Sequence, residues 1–234
     1  MIVEPLLQGS AGMRIYPEEY LRKLRALCDA HDVLLIADEI ATGFGRTGRL
    51  FACERAGITP DLMCLSKGLT GGYMPMSITV VKEKIYEAFY ADWSEGKAFM
   101  HSHTYAGNPL GCAAALAVLD ILDEENILER AENTAAWLTE RMTEAFGTHP
   151  NVGEIRHIGL IHAVELVEDR AEKRPFDGKR RLGYAIYRRA LKNGLLLRPL
   201  GNVLYFNPPL NISRDDLDIA IERMKLSMDE VLGG

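Results

Sequence analysis

Two charged side chains stand where apolar segments end. Val33-Leu34-Leu35-Ile36-Ala37 runs into Asp38, and Leu62-Met63-Cys64-Leu65 runs through Ser66 into Lys67. If both runs are strands of one parallel sheet, both charges lie at its carboxyl edge, where open α/β sheets bind ligands. A desolvated lysine titrates low enough to serve as nucleophile or proton shuttle. A carboxylate buried at a strand end takes up a proton unless a cation keeps it ionised. Lysine opposed by such an acid is the pairing that pyridoxal 5'-phosphate (PLP) chemistry uses: the amine forms a Schiff base, and the acid holds a proton on the pyridine nitrogen. Each residue alone also has a plainer reading, Asp38 as a cap on the next turn and Lys67 as a surface lysine. The small neighbours Ser66, Gly68, Gly71 and Gly72 favour the chemical reading of Lys67, because a planar ligand could approach the backbone there. Glu39 is expected to make a structural or loop contact.

Other motifs are weaker. Gly43-Phe44-Gly45-Arg46-Thr47-Gly48 matches the G-x-G-x-x-G of dinucleotide folds by letter. The spacing argues against that use: Asp38 to Thr42 separate the strand from the first glycine, and Asp61 begins the next strand rather than ending it. These glycines read as a mobile loop at a site or subunit edge. His101-Ser102-His103-Thr104 contains H-x-H, but no third or fourth ligand follows, so no metal is expected. Thr104, close before a helix start at Asn108 and Pro109, suits a hydroxyl beside an anion. Arg198 interrupts the apolar stretch Leu195 to Leu200. A guanidinium there needs an anion, either a structural carboxylate or a substrate carboxylate gripped by both arms of the fork.

The elements that must position these residues follow from periodicity. Met1 to Leu7, Val33 to Ala37, Leu62 to Leu65 and Met76 to Val81 read as strands. Val33 to Ala37 is apolar throughout, as in a strand covered on both faces. Pro17 opens a helix with Tyr20, Leu21, Leu24, Leu27 and Cys28 at helical spacing, and Asn108-Pro109 opens another over Leu110 to Leu122. Beyond Asp123 come a long amphipathic helix, Glu125 to Phe146, and a strand, Glu154 to Val167, bent at Gly159. A turn-rich loop, Arg174 to Gly178, leads to a helix from Leu182 to Asn193 that Gly194 stops. A strand pair is expected from Leu195 to Arg198 and Val203 to Phe206. Ser213 and Asp216 form a capping box for a last helix, Asp215 to Leu232. The change of pattern sets a boundary near residue 122, with a mostly parallel α/β domain over 1–122 and a small α+β domain over 123–234.

Composition bounds the partners. The chain has 234 residues, 47% hydrophobic and 26% charged, with a net charge of −6. That balance suits a globular protein and argues against nucleic acid or an anionic membrane as partner. No apolar run reaches the about 20 residues of a membrane span. The first residues show no basic stretch and no cleavage pattern, so no signal peptide is expected. Cys28, Cys53, Cys64 and Cys112 lack C-x-x-C spacing and read as reduced structural thiols of a cytoplasmic protein.

Taken together, Val3-Glu4-Pro5, Ala37-Asp38-Glu39, Thr42-Gly43-Phe44-Gly45-Arg46-Thr47-Gly48, Ser66-Lys67-Gly68 and Thr104-Tyr105-Ala106-Gly107-Asn108-Pro109 resemble the class III aminotransferases of PLP fold type I. Val3-Glu4-Pro5-Leu6-Leu7-Gln8-Gly9, Ile36 to Gly43 and Arg198-Pro199-Leu200-Gly201-Asn202-Val203-Leu204-Tyr205 are similar to the branch of biotin synthesis that converts 8-amino-7-oxononanoate to 7,8-diaminononanoate. The resemblance runs along essentially the whole chain. It implies a partial fold type I large domain with a small C-terminal domain, PLP as cofactor and a homodimer acting on a small amino donor and a keto acceptor. It also implies roles. Lys67 would hold PLP and shuttle the proton, Asp38 would hold the pyridinium, and Glu4 would lie beside Asp38. His103 and Thr104 would lie at the cofactor, Thr104 on the phosphate of the partner subunit's site. Ser102, Arg198 and Tyr205 would line the substrate, with Arg198 on a carboxylate. Ser102 and His103 stand where members using S-adenosylmethionine typically carry Gly-Pro, which leaves lysine open as donor. Family members carry a substantial N-terminal part, with a ring that stacks on PLP and a Ser-Gly phosphate loop, before the segment matched here. The chain therefore reads as a C-terminal portion. An ω-amino-acid:pyruvate transaminase, and a non-catalytic partial domain needing a separate N-terminal part, stand as alternatives.

Overall fold

A computed structural model describes residues 1–233. Along the chain come β1 (Ile2–Val3), β2 (Leu7–Gln8), β3 (Arg14–Ile15), α1 (Glu18–Ala30), β4 (Ile36–Asp38), α2 (Ala52–Ala56), β5 (Leu62–Leu65), β6 (Ile78–Val81), α3 (Glu83–Tyr86) and α4 (Pro109–Glu124). There follow α5 (Ile127–Phe146), β7 (Val152–Ile158), β8 (Ile161–Asp169), β9 (Arg174–Pro175), α6 (Leu182–Lys192), β10 (Val203–Phe206) and α7 (Arg214–Leu232). Two compact units form. The first holds Met1–Leu6, Pro17–Phe44 and Arg49–Asn126, and the second holds Leu7–Tyr16, Gly45–Gly48 and Ile127–Gly234.

The first unit is built on a four-stranded sheet in the order β1-β4-β5-β6. β1, β4 and β5 run parallel, and β6 is antiparallel to β5. α1 buries Leu21, Leu24 and Cys28, a stripe at i, i+3 and i+7, while Tyr20 and Leu27 stay exposed. Each of those two precedes a buried residue by one position, about 100° round the helix, and so lies outside the stripe. Val33 and Leu34 are exposed and precede the strand, so the apolar run is covered only from Leu35 onward. α4 starts as its residues require: the Asn108 carbonyl Oδ1 accepts from the Gly111 N–H at 2.8 Å, with Pro109 in the first turn. Such a cap stabilises a helix by about 1 kcal/mol. The core of this unit gathers Phe44, Leu65, Leu69 and Ala115, with Leu50, Phe51, Met63, Met76 and Leu122 packed against it.

Asp61 anchors the opposite, amino edge of the parallel strands. It is 3% exposed and accepts from the Leu35 N–H at 2.9 Å, from Arg25 at 2.8 Å and from Lys82 at 3.0 Å. Burial alone would raise its carboxyl, but these donors more than offset that and hold it below the usual carboxylate range.

The second unit folds around an antiparallel sheet, β10-β8-β7, with β9 on β8 and a separate β2–β3 hairpin. Gly159, at φ +52°, turns β7 into β8, so the single bent strand expected there is a hairpin. α5, α6 and α7 supply Leu138, Met142, Phe146, Ile186, Ile221 and Met224 to its core. Asn126, at φ +50°, breaks the chain just before α5. Ser213 caps α7, its hydroxyl oxygen accepting from the Asp216 N–H at 3.1 Å.

Three expectations need correction. Leu195 to Arg198 form no strand; only Leu200 bridges back to Val203, so the chain there makes a tight loop before β10. Residues 7–16 and 45–48 belong to the second unit rather than to one continuous first domain. Arg156 explains the first segment, because its guanidinium donates to the carbonyls of Gly12 at 2.6 Å and Met13 at 2.8 Å. Gly159 explains the second: a Cβ there would lie 2.5 Å from the Arg46 carbonyl oxygen, so only glycine permits the approach. The glycine-rich turn, expected as a mobile loop at a site or subunit edge, is instead packed into the fold. Thr42, Phe44 and Thr47 are buried, and Arg46 donates to the Pro208 carbonyl.

Candidate active site

Parallel register does the first work. Ile36 pairs with Leu62, Ala37 with Met63 and Asp38 with Cys64. Asp38 is the last residue of β4, and Lys67 follows the end of β5 by two residues. Acid and lysine therefore emerge at the same carboxyl edge of neighbouring strands. On the other side, Val3 pairs with Ala37, and the next step of that register sets Glu4 alongside Asp38.

The Asp38 carboxylate is half-buried and accepts from the Ile40 N–H at 3.1 Å. Among the described residues no cation of the chain pairs with it, so it is the open acid of this edge. The next residue behaves oppositely. Glu39 is fully buried and saturated: it accepts from the Thr42 hydroxyl at 2.6 Å and from the N–H groups of Ala52 at 3.0 Å and Cys53 at 2.8 Å. It thereby holds the start of α2, a structural task. Burial and the Glu39 carboxylate push the Cys53 thiol far up, which leaves it inert.

Lys67 opens a 3-10 turn, Lys67–Thr70, with its own backbone in the left-handed region at φ +44°. Its side chain is exposed, and among the described residues its ammonium makes no hydrogen bond or ion pair. Two hydroxyls fasten the turn. Ser66 donates to the Met76 carbonyl at 2.7 Å, and Thr70 donates to the Met74 carbonyl at 2.5 Å. α4 packs on the same turn, with Val118 against Gly71. Thr70 carried no weight in the sequence reading, and Ser66 counted only as a small neighbour; a hydroxyl on either side of the lysine is the signal that could have marked both as fasteners of the turn.

Ser102, His103 and Thr104 lie exposed in the segment that leads into α4, and the Tyr105 N–H donates to His103 Nδ1 at 3.2 Å. Arg198 and Tyr205 belong to the second unit. Arg198 is exposed just after the buried Leu197, and among the described residues it has no carboxylate partner, so the structural ion pair considered for it is not formed. Tyr205 is half-buried in β10, opposite Ala163 of β8. The structure thus brings Asp38 and Lys67 to one edge within the first unit. No group of three or more His, Cys, Asp or Glu suited to a metal ion occurs among the described residues. No described helix is long and apolar enough to cross a membrane.

The family described as Aminotransferase class-III matches residues 1–228. An adenosylmethionine-8-amino-7-oxononanoate aminotransferase of Geobacter sulfurreducens is 47% identical over 234 residues, covering 100% of this chain and 51% of the relative. The crystal structure of the enzyme of that name from Methanocaldococcus jannaschii superposes with a TM-score of 0.93 at 36% identity, over 98% of this chain and 53% of that one. A thermostable omega transaminase of Pseudomonas jessenii superposes with a TM-score of 0.91 at 38% identity, over 98% of this chain and 51% of that one. The chain spans about half the length of the relatives it matches.

Proposed function

The chain belongs to the class III aminotransferase family, and from that premise we propose that it carries the cofactor lysine of a PLP-dependent transaminase that converts 8-amino-7-oxononanoate to 7,8-diaminononanoate in biotin synthesis. The family is PLP-dependent. The observation that carries the reading is the shared sheet edge of Asp38 and Lys67, set by the pairing of Asp38 with Cys64. The donor set fits the cofactor: among the described residues the carboxylate has no cation and the lysine no partner, and the open backbone of Gly72 lies nearby.

Bound PLP supplies the electron sink that makes an amino-acid Cα proton removable. Lys67 would hold the cofactor and would serve as the general acid and base for the substrate Cα proton. Asp38 would hold the protonated pyridine nitrogen of bound PLP. Arg198 grips the carboxylate of the acceptor or donor with its fork, and Tyr205 shapes the pocket wall. Ser102 lies at the substrate. His103 and Thr104 serve the cofactor, Thr104 on the phosphate of the partner subunit's site, which makes the working form a homodimer. The donor is S-adenosylmethionine or lysine, and the compartment is the cytoplasm.

The likeness to the Pseudomonas jessenii omega transaminase supports a second reading, transfer from an ω-amino acid to pyruvate. The chain's half-length match supports a third, in which turnover requires a polypeptide carrying the remaining half. Supplying each donor with each acceptor and following product by mass separates them. Formation of 7,8-diaminononanoate in preference to alanine supports the first reading. Alanine alone supports the second, and no product without an added N-terminal polypeptide supports the third.

A further inference from the structure

The geometry points to Phe44 as the positioning residue that sets the spacing between Asp38 and Lys67. This rests on the proposed cofactor role of Lys67 and deepens it. Phe44 is 4% exposed and sits at φ +56°, a backbone region that is strained for a bulky residue and persists only where the surroundings impose it. Two sides impose it here.

From the side of the acid, the chain turns tightly after Asp38. The Gly43 N–H donates to the Glu39 carbonyl at 2.9 Å, and a Cβ on Gly43 would meet that same oxygen at 2.9 Å. With Glu39 locked by three donors, the turn is rigid and delivers Phe44 to one place. From the side of the lysine, Gly68 receives it. A Cβ on Gly68 would lie 2.8 Å from Phe44 Cβ, 3.1 Å from Cδ2 and 3.2 Å from Cγ. The ring is held by Leu65, Leu69 and Ala115 and meets Phe51 edge-on, with centroids 5.7 Å apart at 73°. A continuous path of close contacts therefore runs from Asp38 through the Glu39 turn and Phe44 to Gly68 and Lys67. Lys67 is itself held at φ +44° between an extended Ser66 and the pressed Gly68. Phe44 is the wedge that fixes where the backbone turns, and so the direction in which the amine leaves the sheet.

The test measures attachment of PLP to Lys67 in the presence of cyanoborohydride, with each labelled lysine located by peptide mass. It compares the parent chain with Gly68→Ala, Phe44→Ala, Phe44→Leu and Leu122→Ala, and thermal unfolding is recorded for each. Misplacing a reacting group by a fraction of an ångström to 1 Å slows reaction by up to about a hundredfold, so Gly68→Ala and Phe44→Ala should slow labelling of Lys67 by at least about fivefold. Labelling of the exposed Lys23 and Lys97 should not change. Phe44→Leu should stay within about twofold of the parent, because most of the wedge is kept. Leu122→Ala weakens the same core while leaving both Phe44 and Gly68 in place, and should label Lys67 at the parent rate. Parent-rate labelling in folded Gly68→Ala, or equal slowing by Leu122→Ala, would overturn the inference while leaving the role of Lys67 intact. If Phe44→Ala fails to fold, Gly68→Ala decides alone. A parent chain that labels Lys67 no faster than its surface lysines would instead overturn the cofactor reading, and the positioning role with it.

Discussion

Asp38 and Cys64 are register partners in parallel strands, and that one pairing sets an acid beside the strand whose continuation carries Lys67. Among the described residues no cation pairs with the acid, whereas its neighbour Glu39 is consumed by three structural hydrogen bonds. Adjacent carboxylates thus divide the labour, one facing outward from the sheet edge and the other building the turn behind it.

Arg198 tests the substrate side. It has no carboxylate partner among the described residues, so removing it strands no buried acid and should not destabilise the fold. Arg198→Ala should raise KM for the carboxylate-bearing substrate about 10- to 100-fold with kcat far less affected, the scale of one charge-assisted pair. Arg198→Lys should recover only part of that, because an ammonium lacks the planar fork. Steady-state kinetics at fixed co-substrate reads both values, and an unchanged KM would remove Arg198 from the site.

Asp61 tests the frame at the other end of the strands. Asp61→Asn leaves the Arg25 guanidinium, 12% exposed, without its buried carboxylate partner and weakens the acceptor of the Leu35 N–H. Stability should fall by about 3 kcal/mol, at the lower end of what breaking a buried ion pair costs. Urea unfolding measures it. A loss below a few tenths of a kcal/mol would mean that Arg25 finds Asp29 sufficient, a contact already formed at 2.6 Å.

His162 gives the second unit an acid limit. It is fully buried in β8, stacked on His157 at 5.1 Å, with Nε2 2.9 Å from the Thr139 hydroxyl. Burial first, and the His157 ring second, push it down to about 4. The unfolded chain, with an ordinary histidine near 6.5, therefore takes up the proton first as pH falls. The stability that neutral His162 contributes is complete above about pH 6.5 and is lost progressively toward about pH 4, up to about 3 kcal/mol in all. His162→Gln should flatten that part of the stability profile in urea titrations at pH 7, 5.5 and 4.5. An equally steep profile in the variant would assign the acid sensitivity elsewhere.

What could be read from residue order has a physical pattern. Asp38, Lys67, the Asn108-Pro109 helix start and the Ser213 cap are local events: a charge ending an apolar run, or a side chain reaching its own next turn. Each shows in a window of a few residues. The second group depends on contacts between distant positions. The burial of Thr42 to Thr47 needs Gly159, more than a hundred positions on, and residues 7–16 join the second unit through Arg156. Leu195 to Arg198 have the composition of a strand and no strand beside them to pair with. Phe44 is the extreme case, because a large residue between two glycines gives no local sign that it fills the space over Gly68.

The most direct measurement is the absorbance of the protein with added PLP, compared with that of Lys67→Ala. The account predicts a visible band in the parent protein that survives gel filtration, bleaches when amino donor is added, and is absent from the variant. An identical band in Lys67→Ala, carried through gel filtration and discharged by donor at the same rate, would contradict it.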